Sequence, residues 1–272
     1  MSGHAHAQEL LESLRQADGG FAPAPGGISE PEPTALAAIA LDDAAARSWL
    51  EASQATDGGF TVGPPALRND TSTALAAIAL DGGARELALG YLVGHQAQAQ
   101  ENDPRFPHDP DTRGWGWTSL TFGWTEPTAR AVLALKLLRP DAPELEDGLS
   151  TLADRESLGG GWNYGNREVL DRNLEPFLQT TAAGLMAVQD GPVDLRDRAI
   201  AVVERLWDAE RGGLGWAMSL VALQLAGVTD ADRAGQLSAL VDETELLSDG
   251  VALAWAVMAL TDRWQRLSVA GS

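Results

Sequence analysis

The sequence predicts an all-α chain folded as a single (α/α)6 barrel, and three observations carry that reading. Thr34 to Leu41 spells TALAAIAL, and Thr73 to Leu80 spells it again, 39 residues on. The stretch Leu10 to Phe21, LLESLRQADGGF, returns as Trp49 to Phe60, WLEASQATDGGF, with the same offset of 39 between the two phenylalanines. Two markers with one period are the signature of a repeat architecture. Third, the period-two alternation of half-buried strands is nearly absent.

The elements follow in order. Four weaker copies of the Ala-rich octapeptide are Thr128 to Leu135, Thr181 to Val188, Trp216 to Leu223 and Leu253 to Leu260. All six are apolar and Ala-rich almost all round, which means burial on every side. Each is preceded by a more polar stretch with apolar residues at i, i+3 and i+4: 5–16, 43–54, 83–98, 143–155, 194–208 and 230–244. That spacing predicts half-buried outer helices. Six outer–inner pairs make either an open solenoid or a closed barrel. An open array needs polar capping repeats, and the sixth inner stretch is as apolar as the first, so closure is expected. One domain then spans 1–272, with 1–5 and 266–272 as flexible tails.

Between outer and inner stretches the chain reads Asp-Gly-Gly-Phe, or a glycine-rich run ending in Trp in later copies (Gly160 to Trp162, Gly213 to Trp216). Paired glycines permit the positive φ that reverses a chain after a helix, and the aromatic plugs the gap beside it. Gln16 and Gln54 are placed to hydrogen-bond the end of a neighbouring helix.

Composition narrows the function. Acidic residues number 39 and basic residues 19, a net charge of −20, which argues against nucleic acid as a partner and against charge-driven docking on anionic lipid. Lys136 is the one lysine, so Schiff-base chemistry has a single candidate, set in an apolar helix. Cysteine is absent, which removes zinc-thiolate, iron–sulfur and thiol chemistry. No secretory leader is legible at the N-terminus and no apolar run reaches membrane-spanning length, so a cytoplasmic protein with no membrane span is expected.

Arg47 to Phe60, RSWLEASQATDGGF, resembles the QW repeat of squalene–hopene cyclases and their relatives, an α/α toroid family that includes the β subunits of protein prenyltransferases. The likeness runs over residues 5 to 263. It implies the same toroid with an isoprenoid or terpenoid chain in an apolar central cavity. Proton-initiated cyclases of the family carry Asp-x-Asp-Asp-Thr-Ala at the mouth of an inner helix, where the acid two positions before Thr protonates the substrate. This chain has Glu30-Pro-Glu32-Pro-Thr34-Ala and Glu126-Pro-Thr128-Ala instead; Asp70 lies three before Thr73, and Gln179 two before Thr181. The resemblance therefore casts Glu32, Glu126 and Asp70 as catalytic acids, with Gln179 beside them. The zinc prenyltransferase activity needs a cysteine ligand that is missing. Squalene-type cyclases carry a second barrel; here a partner chain supplies it, or the substrate is shorter.

The residues themselves leave two readings of the glutamates. A carboxylate in the first helical turn is favoured by the dipole, and proline belongs there too. A carboxyl group in an apolar mouth instead has its pKa raised and can give up a proton. Glu126, between Trp124 and a long loop, is the favoured acid.

Inner stretches begin 39, 55, 53, 35 and 37 residues apart, so the third and fourth copies carry insertions, 99–124 and 159–178. Such loops are where repeat proteins bind. They hold Trp115, Trp117, Trp124, Trp162, Tyr164 and Phe177, whose faces can steady a cation. They also hold Arg113, Arg167, Arg172 and Asp171, which suit an anionic head or salt bridges to Glu168, Asp171 and Glu175. His108, Asp109 and Asp111 form a weak metal set, more like a solvated turn. No cofactor is expected; magnesium would enter only with a diphosphate substrate. The two loops are expected to meet over the mouth. The other readings are a non-catalytic toroid presenting these loops to a protein or lipid partner, and a carbohydrate-active enzyme, which the QW-type turns disfavour.

Overall fold

A computed structural model describes residues 3–62, 67–101, 103, 105–118 and 121–271. Residues 1–2 and 272 of the expected tails, and 102, 104, 119 and 120 of the first insertion, lie outside the described residues. The chain is mostly helical. The apolar octapeptides lie in α2 (Pro31–Leu41), α4 (Asp70–Ala79), α6 (Thr125–Leu138), α8 (Leu178–Ala187), α10 (Gly213–Leu225) and α12 (Gly250–Ala259). The polar stretches lie in α1 (Gly3–Ser13), α3 (Ala44–Ser53), α5 (Gly82–Gly94), α7 (Glu144–Asp154), α9 (Val193–Trp207) and α11 (Ala231–Thr244).

Side-chain character sets the packing. The inner helices bury nearly every residue, and their alanines let backbones approach closely. Each packs on the next, α2 on α4, α4 on α6, α6 on α8, α8 on α10 and α10 on α12, and α12 returns to α2. The outer helices bury one stripe, as Ala46 and Leu50 do in α3. Side-chain caps start several helices: Asp43 accepts from Ala46 N–H, Asn69 from Ser72 N–H and Asp249 from Val251 and Ala252 N–H.

Outer and inner helices pair differently from expectation. Each inner helix packs mainly on the outer helix next in the chain: α2 on α3, α4 on α5, α6 on α7, α8 on α9 and α10 on α11, with α12 on α1. The tight inner-to-outer connections, two residues long at Asp42-Asp43, hold antiparallel neighbours together. The longer outer-to-inner turns cross to the next unit. The first helix is thus recruited to the last. It begins at Gly3, buried so closely that a Cβ there would meet the Ser238 side chain, and at the other end Leu267 is fully buried. Neither 3–5 nor 266–267 is a loose tail.

One hydrogen bond explains the repeat. The motif aromatic donates its backbone N–H to the threonine hydroxyl of its inner helix: Phe21 to Thr34 at 2.9 Å, Phe60 to Thr73 at 3.0 Å, Trp115 to Thr128 at 2.9 Å and Trp162 to Thr181 at 3.1 Å. The later tryptophans add an indole bond to a carbonyl near the end of the preceding outer helix: Trp115 to Leu92, Trp162 to Leu152 and Trp216 to Trp207, at 2.7–2.9 Å. That satisfies acceptors a helix end leaves open. Gly58, at φ +88, needs glycine twice over, because a Cβ would also lie 2.1 Å from the Leu87 carbonyl oxygen. Gln54 reaches Ala84 O on α5 at 2.9 Å as expected, whereas Gln16 bonds Leu14 O within its own turn.

Strands are minimal: β1 (Phe60–Thr61) with β2 (Arg68–Asn69), and β3 (Glu168–Val169) with β4 (Arg172–Asn173), both antiparallel. Among the described residues, no helix is long and apolar enough to cross a membrane.

Candidate functional site

The N-terminal turns of α2, α6 and α8 bring three of the expected residues together. Glu126 is buried; one carboxylate oxygen takes the Arg130 Nη2 at 3.3 Å, and the other takes the Gln179 Nε2 at 3.2 Å. Glu32 keeps a little accessible surface although protein surrounds it on nearly all sides. Its carboxyl is pushed up to about 7, first by burial and then by the Glu126 charge, against the pull of Arg130; Asp249 and Glu30 add to the rise. Neither glutamate caps its helix, since the N-cap residues Glu30 and Trp124 make no side-chain cap bond and Glu126 spends its oxygens on side chains.

Arg130 is the residue that sequence reasoning missed. It lies one turn beyond Glu126 on α6 and is 2% exposed. Its guanidinium reaches past the neighbouring helices to α12, lying 4.5 Å from the Trp255 ring centroid, and comes within 3.6 Å of Met218 Sδ on α10. Among the described residues its Nε and Nη1 have no hydrogen-bond partner; the cation–π contact is their compensation. Arg130, Trp255 and Met218 thus meet between α6, α12 and α10. The signal was a single charge inside TARAVLAL, in a helix otherwise apolar on all faces.

Asp70 does not join the pair. It is fully buried, accepts the Gly116 N–H at 3.1 Å and faces the Tyr91 hydroxyl of α5 at 3.4 Å. One residue is about 100° of helix rotation, so starting three rather than two positions before the threonine turns Asp70 toward the outer layer. Thr71 holds the register position of Glu32 and Glu126, with its hydroxyl buried and, among the described residues, unpartnered. Burial pushes the Asp70 carboxyl up to about 7, opposed by the Gly116 and Tyr91 hydrogen bonds. Asp70 anchors the first insertion.

The loops do meet. Leu170 N–H donates to Arg105 O, and Thr125 N–H to Tyr164 O, both at 3.0 Å. The buried Arg155, a second residue missed in the sequence, donates to Gly165 O at 3.0 Å and pairs with Asp154 at 3.2 Å. Asp154 takes the Asp109 N–H at 3.1 Å, and His108 close by is held below its usual pKa by burial and then by Arg155.

The aromatic residues divide into two groups. Trp115 and Trp162 are fully buried plugs of the repeat and touch no solvent, which corrects their assignment to ligand binding. Trp124 stacks on Phe122 at 4.7 Å, and Tyr164 meets Phe177 in a tilted pair at 5.1 Å. Trp124 is the residue before α6, and Phe177 the residue before α8, so both pairs flank the turns that carry Glu126 and Gln179. Tyr164, Phe177 and Phe122 are exposed, and Trp117 is half-buried.

The expected anion clamp is not assembled. Asp171, at φ 60, is the second residue of the β3–β4 hairpin turn, and Arg172 pairs in register with Val169. Arg113, Arg167 and Arg172 are exposed, and among the described residues none pairs with Glu168, Asp171 or Glu175; Glu175 faces Arg205 at 4.0 Å instead. Asp109 accepts the Asp111 N–H at 3.0 Å, the geometry of a side-chain-stabilised turn. Among the described residues, no three His, Asp or Glu gather as a metal set.

No protein-family model matches the chain, and no curated protein does. A solved structure described as a protein from Actinoplanes is similar in fold, with a TM-score of 0.60 at 14% identity, covering 95% of this chain and 97% of that one.

Proposed function

We propose that the inner helices close into a single (α/α)6 toroid that holds an isoprenoid or terpenoid chain at the mouth where Glu32 and Glu126 meet, and that Glu32 is its proton donor. The observation that carries this reading is the convergence of two carboxyl groups, one ion-paired and one not among the described residues, at helix N-termini flanked by partly exposed aromatic pairs. A donor poised near neutrality is what general acid catalysis asks for, and Glu32 is held at about 7. Arg130 steadies the carboxylate left behind when the proton departs. The same guanidinium opposes positive charge built next to it, so a cation formed on the ligand belongs on the outer side, toward Trp124, Tyr164 and Phe177. This revises the choice of acid: Glu126, tied to Arg130 and Gln179, positions the site, and Glu32 acts. Asp70 falls out of the catalytic set.

One observation favours a second reading, a binding module without turnover. Arg130 of α6 lies against Trp255 of α12 and Met218 of α10, side chains that would stand in the way of a long polyene threaded between those helices and favour a ligand held at the mouth and the loops.

The test is turnover of a panel of isoprenoid alcohols and diphosphates, with products followed by mass spectrometry. Glu32→Gln is expected to abolish product, because an amide gives up no proton, while Glu126→Gln leaves a reduced rate. Equal activity in Glu32→Gln and the unaltered protein rejects Glu32 as the donor. No product from the unaltered protein on any member of the panel favours the binding module.

A further inference from the structure

The geometry points to a second ligand site at the opposite end of the inner helices, for an amphiphile with one anionic head, carboxylate or phosphate, on an apolar chain. It is independent of the Glu32 reading. The C-terminal chain forms a 3-10 turn, Asp262–Leu267, that packs across α2, α10 and α12. Gln189, buried just past the end of α8, clamps the end of this turn, donating to Leu267 O at 2.9 Å and accepting the Val269 N–H at 3.1 Å. The resulting strap leaves two recesses side by side.

One is apolar, about 650 Å³, walled by Ile39 of α2, Ile78 of α4, Leu137 and Leu138 of α6 and Trp264 of the strap. That volume suits a small-molecule site. The other, about 630 Å³, is polar and lined by Thr261, Asp262 and Arg263. Gln265 and Arg266 belong to both walls. An apolar slot joined to a polar one through a shared arginine is complementary to a tail and a head.

The charge at the join has a sign. Asp42 receives three guanidiniums: Arg266 at 2.9 Å, Arg47 at 3.0 Å and Arg263 at 3.9 Å. Counting Asp262 as well, the arginines remain in excess, in a chain whose net charge is −20. Two of them, Arg263 and Arg266, line the polar recess. The negative ends of α2 and α12 oppose an anion, so the head belongs beside the strap arginines, away from the helix carbonyls. Arg85, on the rim of the apolar recess, is held by Asp81 at 2.8 Å.

Calorimetric titration with dodecyl phosphate and dodecanoate, below their micelle thresholds, tests the proposal against dodecanol, butyl phosphate and inorganic phosphate. Both dodecyl anions are expected to bind, with dodecanol, butyl phosphate and inorganic phosphate each weaker by about tenfold or more. The double variant Arg263→Gln/Arg266→Gln is expected to lose about tenfold or more for the anions. Its fold should survive, since exposed ion pairs add little stability, and an unchanged circular-dichroism melt checks this. Glu32→Gln is expected to bind the anions unchanged. Equal binding of dodecanol removes the head subsite; equal binding of inorganic phosphate removes the tail subsite. Loss of binding in Glu32→Gln, with the arginine double variant unaffected, moves the ligand to the other mouth and overturns the proposal while leaving the Glu32 reading standing.

Discussion

Replacing Arg130 by methionine is expected to cost about 3–5 kcal/mol of folding stability, the penalty for stranding a buried carboxylate. Glu126 is 6% exposed, so without the guanidinium its remaining described partner is the Gln179 amide at 3.2 Å. The companion variant carries Glu126→Gln as well. Removing both charges strands nothing, and methionine fills volume against Trp255 and Met218, so the double variant is expected within about 1–2 kcal/mol of the parent. Urea melts of the parent, both single variants and the double variant complete a cycle. A double variant as unstable as Arg130→Met alone would mean that Arg130 matters for its packing on Trp255 and not for holding Glu126.

Stability is expected to fall as pH rises from about 4 to about 7, and two residues drive the fall. Glu32 and Asp70 each have a folded-state pKa raised to about 7, from ordinary values of 4.5 and 3.8. A raised acid favours the folded state while it is protonated in both states, below the unfolded pKa, and that advantage is lost as pH climbs to the folded pKa. Above about 7 both groups are ionised at a cost on the order of 3 kcal/mol each. The half-buried Asp103, held at about 2 by Arg105, acts in the opposite sense at lower pH, screened by solvent. Asp70→Asn keeps the acceptor for the Gly116 N–H and removes the ionisation. It is expected to melt about 5 °C or more above the parent at pH 8, with the gap closing near pH 4.5. A parallel pH profile for parent and variant would show that Asp70 ionises freely.

Much of the fold was legible because its repeat is a hydrogen-bonding device. The duplicated TALAAIAL and Gly-Gly-Phe marked the two ends of the bond from Phe21 to Thr34 and from Phe60 to Thr73, so their common spacing placed α2 and α4, and the weaker copies of the octapeptide placed the other inner helices. Which outer helix each one prefers was not legible. Chain order says that α1 precedes α2, and only the assembled packing shows α1 lying on α12. The same limit governed the site. Glu32, Glu126 and Gln179 were found through their shared offset from Thr-Ala. Asp70 shared the chemistry but not the offset, and one residue of helix turned it away. Trp115 and Trp162 sat in insertions and looked like ligand contacts, yet each is the aromatic of its own repeat. Arg130 was visible as a lone charge in an apolar helix, but its meaning depends on Met218, 88 residues away, and on Trp255, pairings that no local pattern records.

The central claim is that Glu32 and Glu126 share one buried site in which Glu32 holds its proton near neutrality. Carboxyl-carbon NMR of the glutamate-labelled protein, titrated from pH 3 to 9 and assigned with Glu32→Gln, measures it directly. The account predicts a Glu32 midpoint near 7, moving down in Glu126→Gln, where the repelling charge is gone and Arg130 is free to turn to Glu32, but staying above the ordinary glutamate value of about 4.3 because the burial remains. A Glu32 midpoint already at that ordinary value, unmoved by Glu126→Gln, would contradict it.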